Sequence, residues 1–201
     1  QRSIELSDKT KHLKNIVFPK YYPEYSSPKI LVMDWIEGKP LGDVLKKELA
    51  QATADRLGQA MWDFYHFQMH EIKAMHADPH PGNFIITPDE QLGIIDFGCV
   101  KVIPENFHKV YFRLLDGDLL KNPSKREEVF YKLRFIYPDD SAKDKKFFIT
   151  FFSRMVELLS RPFRYEVFDF ADDKFFDDFF ALGQEITNIK ELRNSKKARG
   201  V

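Results

Sequence analysis

Apolar positions along this chain change period twice. Between residues 14 and 36, "NIVFPKYY" and "ILVMDWI" are β-branched and aromatic runs separated by the turn-rich "PEYSSPK", which predicts two short strands joined by a turn. Gly38 and Pro40 end the second strand, and "PLGDVLKKEL" reads as a short helix with Pro40 near its start. From residue 53 to 75 the spacing becomes three and four: Leu57, Met61, Tyr65, Gln68, Ile72 and Met75 mark a helix that Thr53 or Asp55 can cap. Pro79 and Pro81 prevent that helix from continuing. "FII" and "LGIIDF" then predict two very short strands around "TPDEQ". After Pro104 the helical spacing returns, with Phe107, Val110 and Leu114 on one side and Leu115 and Leu119 less regular. Amphipathic segments follow at about 124–136, 141–160 and 172–189. The opening dozen residues show no core-facing period, and no internal repeat is visible. The order predicts an α+β chain: a β-hairpin, then a mostly helical body with one small β-insertion.

Composition narrows the class. At 201 residues with 43% hydrophobic content, the chain is long enough for a real core. Lys+Arg and Asp+Glu balance at 31 each, so no net field selects nucleic acid or another polyanion. No run approaches the roughly 20 apolar residues of a membrane-spanning helix, and the polar start "QRSIELSDKTKHLK" lacks the apolar stretch of a signal peptide. One cysteine, Cys99, excludes an internal disulfide framework and suits a reducing cytoplasm. The first residue is not Met, and "IKELRNSKKARGV" closes without a capping pattern, so a segment truncated at both ends is expected.

The β-insertion carries the polar residues. In "HADPHPGN", Asp78 and Asn83 are separated by four residues, and Asp96 of "IIDFG" lies thirteen beyond Asn83. Asn83 and Asp96 would offer oxygen ligands to a hard cation such as Mg²⁺. Asp78 could accept a proton from a hydroxyl nucleophile or orient a water. Phosphoryl transfer is mostly positioning and charge neutralisation, so a base, an amide ligand and a carboxylate ligand form a sensible minimum set. Each motif is weak alone: "DFG" arises by chance after a strand, "HPGN" is a turn, and Asp before Pro is usually a cap or turn residue. The order of helix, loop, paired strands and "DFG" gives the set its weight.

With "HADPHPGN" and "IIDFG" in place, the sequence resembles the UbiB/AarF (ADCK) atypical kinases of the protein-kinase-like superfamily. "FPKYYPEYSSPKILVMDWIEGKPL" resembles that family's strand pair and hinge, and "EITNIKELRNSKKARG" its C-terminal region. The resemblance implies a kinase-like fold, mainly the helical C-lobe (residues 39–201) with a hairpin remnant of the N-lobe (residues 1–38). It implies Asp78 as the catalytic aspartate and Asn83 and Asp96 as the metal-coordinating positions. It also implies Met33, Asp34, Trp35, Ile36 and Glu37 as the hinge whose backbone would bond adenine. His76 stands where kinases usually have a structural histidine, while His80 could touch phosphate or pin the loop. The implied cofactors are ATP and Mg²⁺. The implied activity is that of an ATPase or a small-molecule or lipid kinase linked to isoprenoid-quinone (ubiquinone) metabolism, with peripheral membrane contact; the expected cytoplasmic location rests on the single cysteine.

Departures from kinase patterns qualify this picture. The roughly thirty residues before the hinge cannot hold the Gly-rich loop, strand lysine and helix glutamate of kinases, nor this family's Ala-rich loop and KxGQ helix. Ala77 stands where many protein kinases place an arginine that pairs with a phosphorylated activation loop. Only five residues separate Gly98 from Pro104, leaving no long activation segment and no "APE", which points away from a protein substrate. Two other readings stay open: a phosphotransferase of the aminoglycoside or choline kinase type, whose loop also resembles "HxDxxPGN", and a pseudokinase interaction module. The 20 phenylalanines, densest between residues 145 and 180, fit either a buried interface between two C-terminal helices or an apolar patch for a membrane or lipid-like substrate.

Overall fold

The computed structural model describes residues 2–47, 49–96 and 99–188. Contacts divide the chain into two compact units, the first ending at Pro104 and the second beginning at Glu105. This division is separate from the lobe boundary expected at residue 38.

The first unit opens with α1 (Arg2–Thr10), a helix the sequence did not announce. Among its described residues, Ser7 and Thr10 are buried. The Ser7 hydroxyl donates to the Ile4 carbonyl at 3.1 Å and the Thr10 hydroxyl to the Ser7 carbonyl at 3.3 Å. Hydroxyls satisfied by their own helix can be buried without an apolar stripe, so no period is visible. β1 (Ile16–Val17) follows, then β2 (Lys39–Pro40), α2 (Leu41–Val44) and α3 (Gln51–Phe67). α3 continues as a π-turn over Gln68–Ile72, followed by β3 (Ala74–His76), a 3-10 turn at Pro81–Asn83, β4 (Phe84–Ile86), β5 (Leu92–Ile94) and β6 (Val100–Val102).

The expected hairpin at 14–36 forms only loosely. Tyr21 bridges Met33, and the Tyr22 and Asp34 amides donate to the Val32 and Lys20 carbonyls at 2.9 Å each. β1 instead pairs in parallel with β5, in a sheet of order β1-β5-β4-β2. "ILVMDWI" is not a buried strand either: Ile30, Leu31 and Met33 are exposed and Trp35 is 89% exposed.

The long helix also ends earlier than expected. Lys73, at φ 54°, closes it in the left-handed conformation six residues before Pro79. The turn itself, rather than proline, stops the helix, and Met75 passes into β3. Neither Thr53 nor Asp55 caps it: Ala50 stands at the cap without a side-chain bond, and the Thr53 hydroxyl reaches Glu90 at 3.1 Å.

β4 and β5 form the antiparallel pair expected around "TPDEQ", with Phe84 opposite Ile94 and Ile86 opposite Leu92. Leu57, Ala60 and Phe64 of α3 pack on Phe84, Ile86, Leu92 and Ile94. Gly93 lets the segment preceding β2 lie close, since a Cβ there would sit 3.2 Å from the Ile36 side chain. β3 and β6 make a separate two-stranded sheet, with His76 opposite Val100.

The second unit is helical, as the spacing predicts: α4 (Glu105–Tyr111), a 3-10 turn, α5 (Gly117–Lys121), α6 (Pro123–Lys132), α7 (Ala142–Ser160) and α8 (Asp173–Asn188). Asn122 and Ser141 cap α6 and α7 by accepting from the Lys125 and Asp144 amides, both at 3.1 Å. The phenylalanines divide between buried and exposed positions. Phe130 and Phe148 fill one core with Val129 and Ile136, and Phe151, Phe175 and Leu182 join α7 to α8. Phe176, Phe179 and Phe180 of α8 stay exposed. No helix among the described residues is long and apolar enough to cross a membrane.

Candidate active site

Asp78 lies on the loop between β3 and β4, and the folding of that loop brings Asn83 to it. The Asn83 amide nitrogen donates to the Asp78 carbonyl at 3.1 Å and to the Asp78 carboxylate Oδ2 at 3.2 Å. With its NH₂ committed, the amide presents Oδ1 as its acceptor side, the oxygen a hard cation would take. Pro81 and Gly82 form the 3-10 turn that makes this approach, and His80 pins it: its Nδ1 accepts from the Gly82 amide at 3.0 Å while its carbonyl accepts from Asn83 at 2.9 Å. Asp96 is reached through the sheet. The β4–β5 register runs past Phe84 and Ile94, the Ile95 amide donates to the Asn83 carbonyl at 3.2 Å, and exposed Asp96 follows at that same end. Phe97 and Gly98 lie outside the described residues, as does most of "EITNIKELRNSKKARG".

Behind the loop stands a buried polar array. His76 is 1% exposed and its ring meets Phe84 edge-on at 6.1 Å. Its amide donates to Gln68 Oε1 at 2.8 Å, its Nδ1 lies 3.3 Å from the Tyr65 hydroxyl, and the next amide, Ala77, donates to the Cys99 carbonyl at 2.9 Å. Burial, and secondarily the charge of Asp78, push the Tyr65 phenol up to about 12. The structure thus gives His76 and His80 loop-holding contacts.

The hinge residues present less regular geometry. The Asp34 carboxylate accepts from the Tyr22 hydroxyl at 2.8 Å, and its amide is already bonded to Lys20. Ile36 covers Gly93, and Met33, Trp35 and Glu37 are exposed. No group of three His, Cys, Asp or Glu gathers around a metal position among the described residues. An Asn–Asp oxygen pair nonetheless fits Mg²⁺, which keeps several waters and takes few protein ligands.

Residues 1–129 match the ABC1 atypical kinase-like domain. The chain belongs to this ABC1 family. Among its relatives, a chloroplastic aarF domain-containing protein kinase of Arabidopsis thaliana is 41% identical over 89 residues, covering 44% of this chain and 12% of that protein. AarF domain-containing kinase 1 of Drosophila melanogaster is 34% identical over 104 residues, covering 48% of this chain and 19% of that protein. The chain thus spans less than a quarter of the length of these relatives. The solved complex of Rv3197 with erythromycin from Mycobacterium tuberculosis superposes with a TM-score of 0.64 at 23% identity, over 88% of this chain and 44% of that one. The fold of this ABC1 chain is therefore α+β and kinase-like, as its motifs imply.

Tyr65 and Gln68 were missed as site residues, since both read as members of the helical stripe. A glutamine at a core-facing position of that stripe is the signal that could have singled one of them out: buried amides are bonded, so it required partners.

Proposed function

We propose that the complete protein carrying this chain is an ATP-dependent phosphotransferase or ATPase, with Asp78, Asn83 and Asp96 as the polar half of its nucleotide site. The observation that carries this reading is the pair of hydrogen bonds that the Asn83 side-chain amide donates to Asp78, at the end of the hairpin that also delivers Asp96. Asn83 holds one oxygen of the Asp78 carboxylate, so the carboxylate is oriented before substrate arrives and can take a proton from the attacking hydroxyl or water. Mg²⁺, when bound by Asn83 Oδ1 and the Asp96 carboxylate, would neutralise phosphate charge. Met33, Asp34, Trp35, Ile36 and Glu37 would line the adenine, with backbone groups as its partners.

A small-molecule or lipid acceptor, in keeping with the family's link to isoprenoid quinones, is supported by the short path after the metal loop. β6 pairs with β3 directly and α4 begins at Glu105, where protein kinases place the segment on which protein substrates dock. Exposed Phe176, Phe179 and Phe180 support peripheral membrane contact.

The test is titration of Mg-ATP into the complete protein and its Asp96→Asn variant. Weaker Mg²⁺-dependent binding by the variant is expected; equal binding by both would sink the metal role.

A further inference from the structure

We infer that Tyr65 and Gln68 are positioning residues for Asp78, holding through His76 the strand that delivers it. The inference rests on Asp78 being the catalytic carboxylate. Gln68 is wholly buried and its amide is committed at both ends: Nε2 donates to the Phe64 carbonyl at 3.1 Å and Oε1 accepts from the His76 amide at 2.8 Å. The residue is therefore a rigid strut between the end of α3 and the end of β3. The helix widens to its π-turn at Gln68, the kind of local defect that recurs where a side chain must be aimed.

Tyr65, one turn earlier, places its hydroxyl 3.3 Å from His76 Nδ1, so ring and backbone of His76 are both held by α3. Asp78 is two residues on, roughly 7 Å of extended chain, and Ala77 between them is tied to Cys99. Each of residues 76, 77 and 78 thus has its own anchor: α3, Cys99 just before β6, and Asn83. Tyr65 also feels the Asp78 charge directly, and because burial keeps its phenol neutral it remains an O–H donor throughout the working pH range.

The experiment measures steady-state ATP turnover of the complete protein beside its thermal midpoint. Asp78→Asn serves as reference, and the variants are Tyr65→Phe, Gln68→Glu and Gln68→Leu. Tyr65→Phe removes only the hydroxyl and should lower kcat roughly tenfold with KM for ATP unchanged, a small displacement of a reacting group being enough for such a loss. Gln68→Glu keeps an acceptor for the His76 amide but buries a carboxyl, whereas Gln68→Leu is the easier side chain to bury but leaves that amide unbonded. Positioning therefore predicts kcat in the order wild type, Glu, Leu, while the thermal midpoint places Leu above Glu. Full kcat in Tyr65→Phe beside an inactive Asp78→Asn, or kcat that tracks the midpoint across the Gln68 pair, overturns the inference. Full turnover in Asp78→Asn overturns the catalytic reading on which it stands.

Discussion

Gly38 is where the approach to the site is most tightly drawn. Its φ of +152° lies where side chains are rarely tolerated, and an added Cβ would stand 2.3 Å from the Ile86 carbonyl oxygen and 2.6 Å from the Ile85 side chain. The first of these atoms is backbone and cannot rotate away. Gly38→Ala must therefore part β2 from β4, where Lys39 pairs with Ile86 and Pro40 with Ile85. Backbone strain of about 1–3 kcal/mol and overpacking of about 1–3 kcal/mol together predict a loss of roughly 2–6 kcal/mol. Gly58, inside α3, is the internal control: a Cβ there meets nothing within 4 Å, so Gly58→Ala should gain about 0.5–1 kcal/mol from helix propensity. Both tryptophans of the chain, Trp35 and Trp62, lie in the first unit, so their fluorescence in a urea titration follows that unit alone. A Gly38→Ala midpoint indistinguishable from wild type, or a Gly58→Ala loss matching it, would refute the reasoning.

Two further outcomes are expected. In the second unit, Leu182→Ala should cost about 2–4 kcal/mol because Leu182 is buried against α7; Arg154→Ala, which removes an exposed 2.8 Å ion pair to Glu185, should cost under about 1 kcal/mol, and comparable losses by circular dichroism would contradict that packing. The Tyr65 phenol is raised in the folded state, so the folded chain holds this proton more tightly; its contribution is fully present below pH 10 and is lost as pH rises towards about 12. The fall in urea midpoint over that window should be shallower in Tyr65→Phe, and identical slopes would show the phenol is not perturbed.

Much of the architecture was legible because its signals are local. The β4–β5 hairpin, α6, α7 and α8 follow from apolar period and turn residues, and those elements lie within a few residues of the expected bounds. The strand runs at 14–36 misled because a continuous apolar stretch reports affinity for an apolar neighbour without saying which neighbour is present. Ile30, Leu31 and Trp35 are exposed, while β1 found β5 some seventy-five residues away. α1 was harder to see for the opposite reason: the residues described as buried in it, Ser7 and Thr10, are hydroxyls that bond their own helix.

The sequence by itself determined the candidate chemistry: an Asp, an Asn and an Asp at fixed offsets around two short strands, in a loop whose prolines and glycine shape its turn. Tertiary structure alone decided what holds them. Asn83 meets Asp78 because the Pro81–Asn83 turn folds back, and the strand before Asp78 is fixed by Gln68 and Tyr65 of a helix that sequence periodicity marks only as amphipathic. Periodicity reports which face of a helix is buried. It cannot report that a polar residue on that face is bonded across space, because that bond depends on where another element's backbone comes to lie.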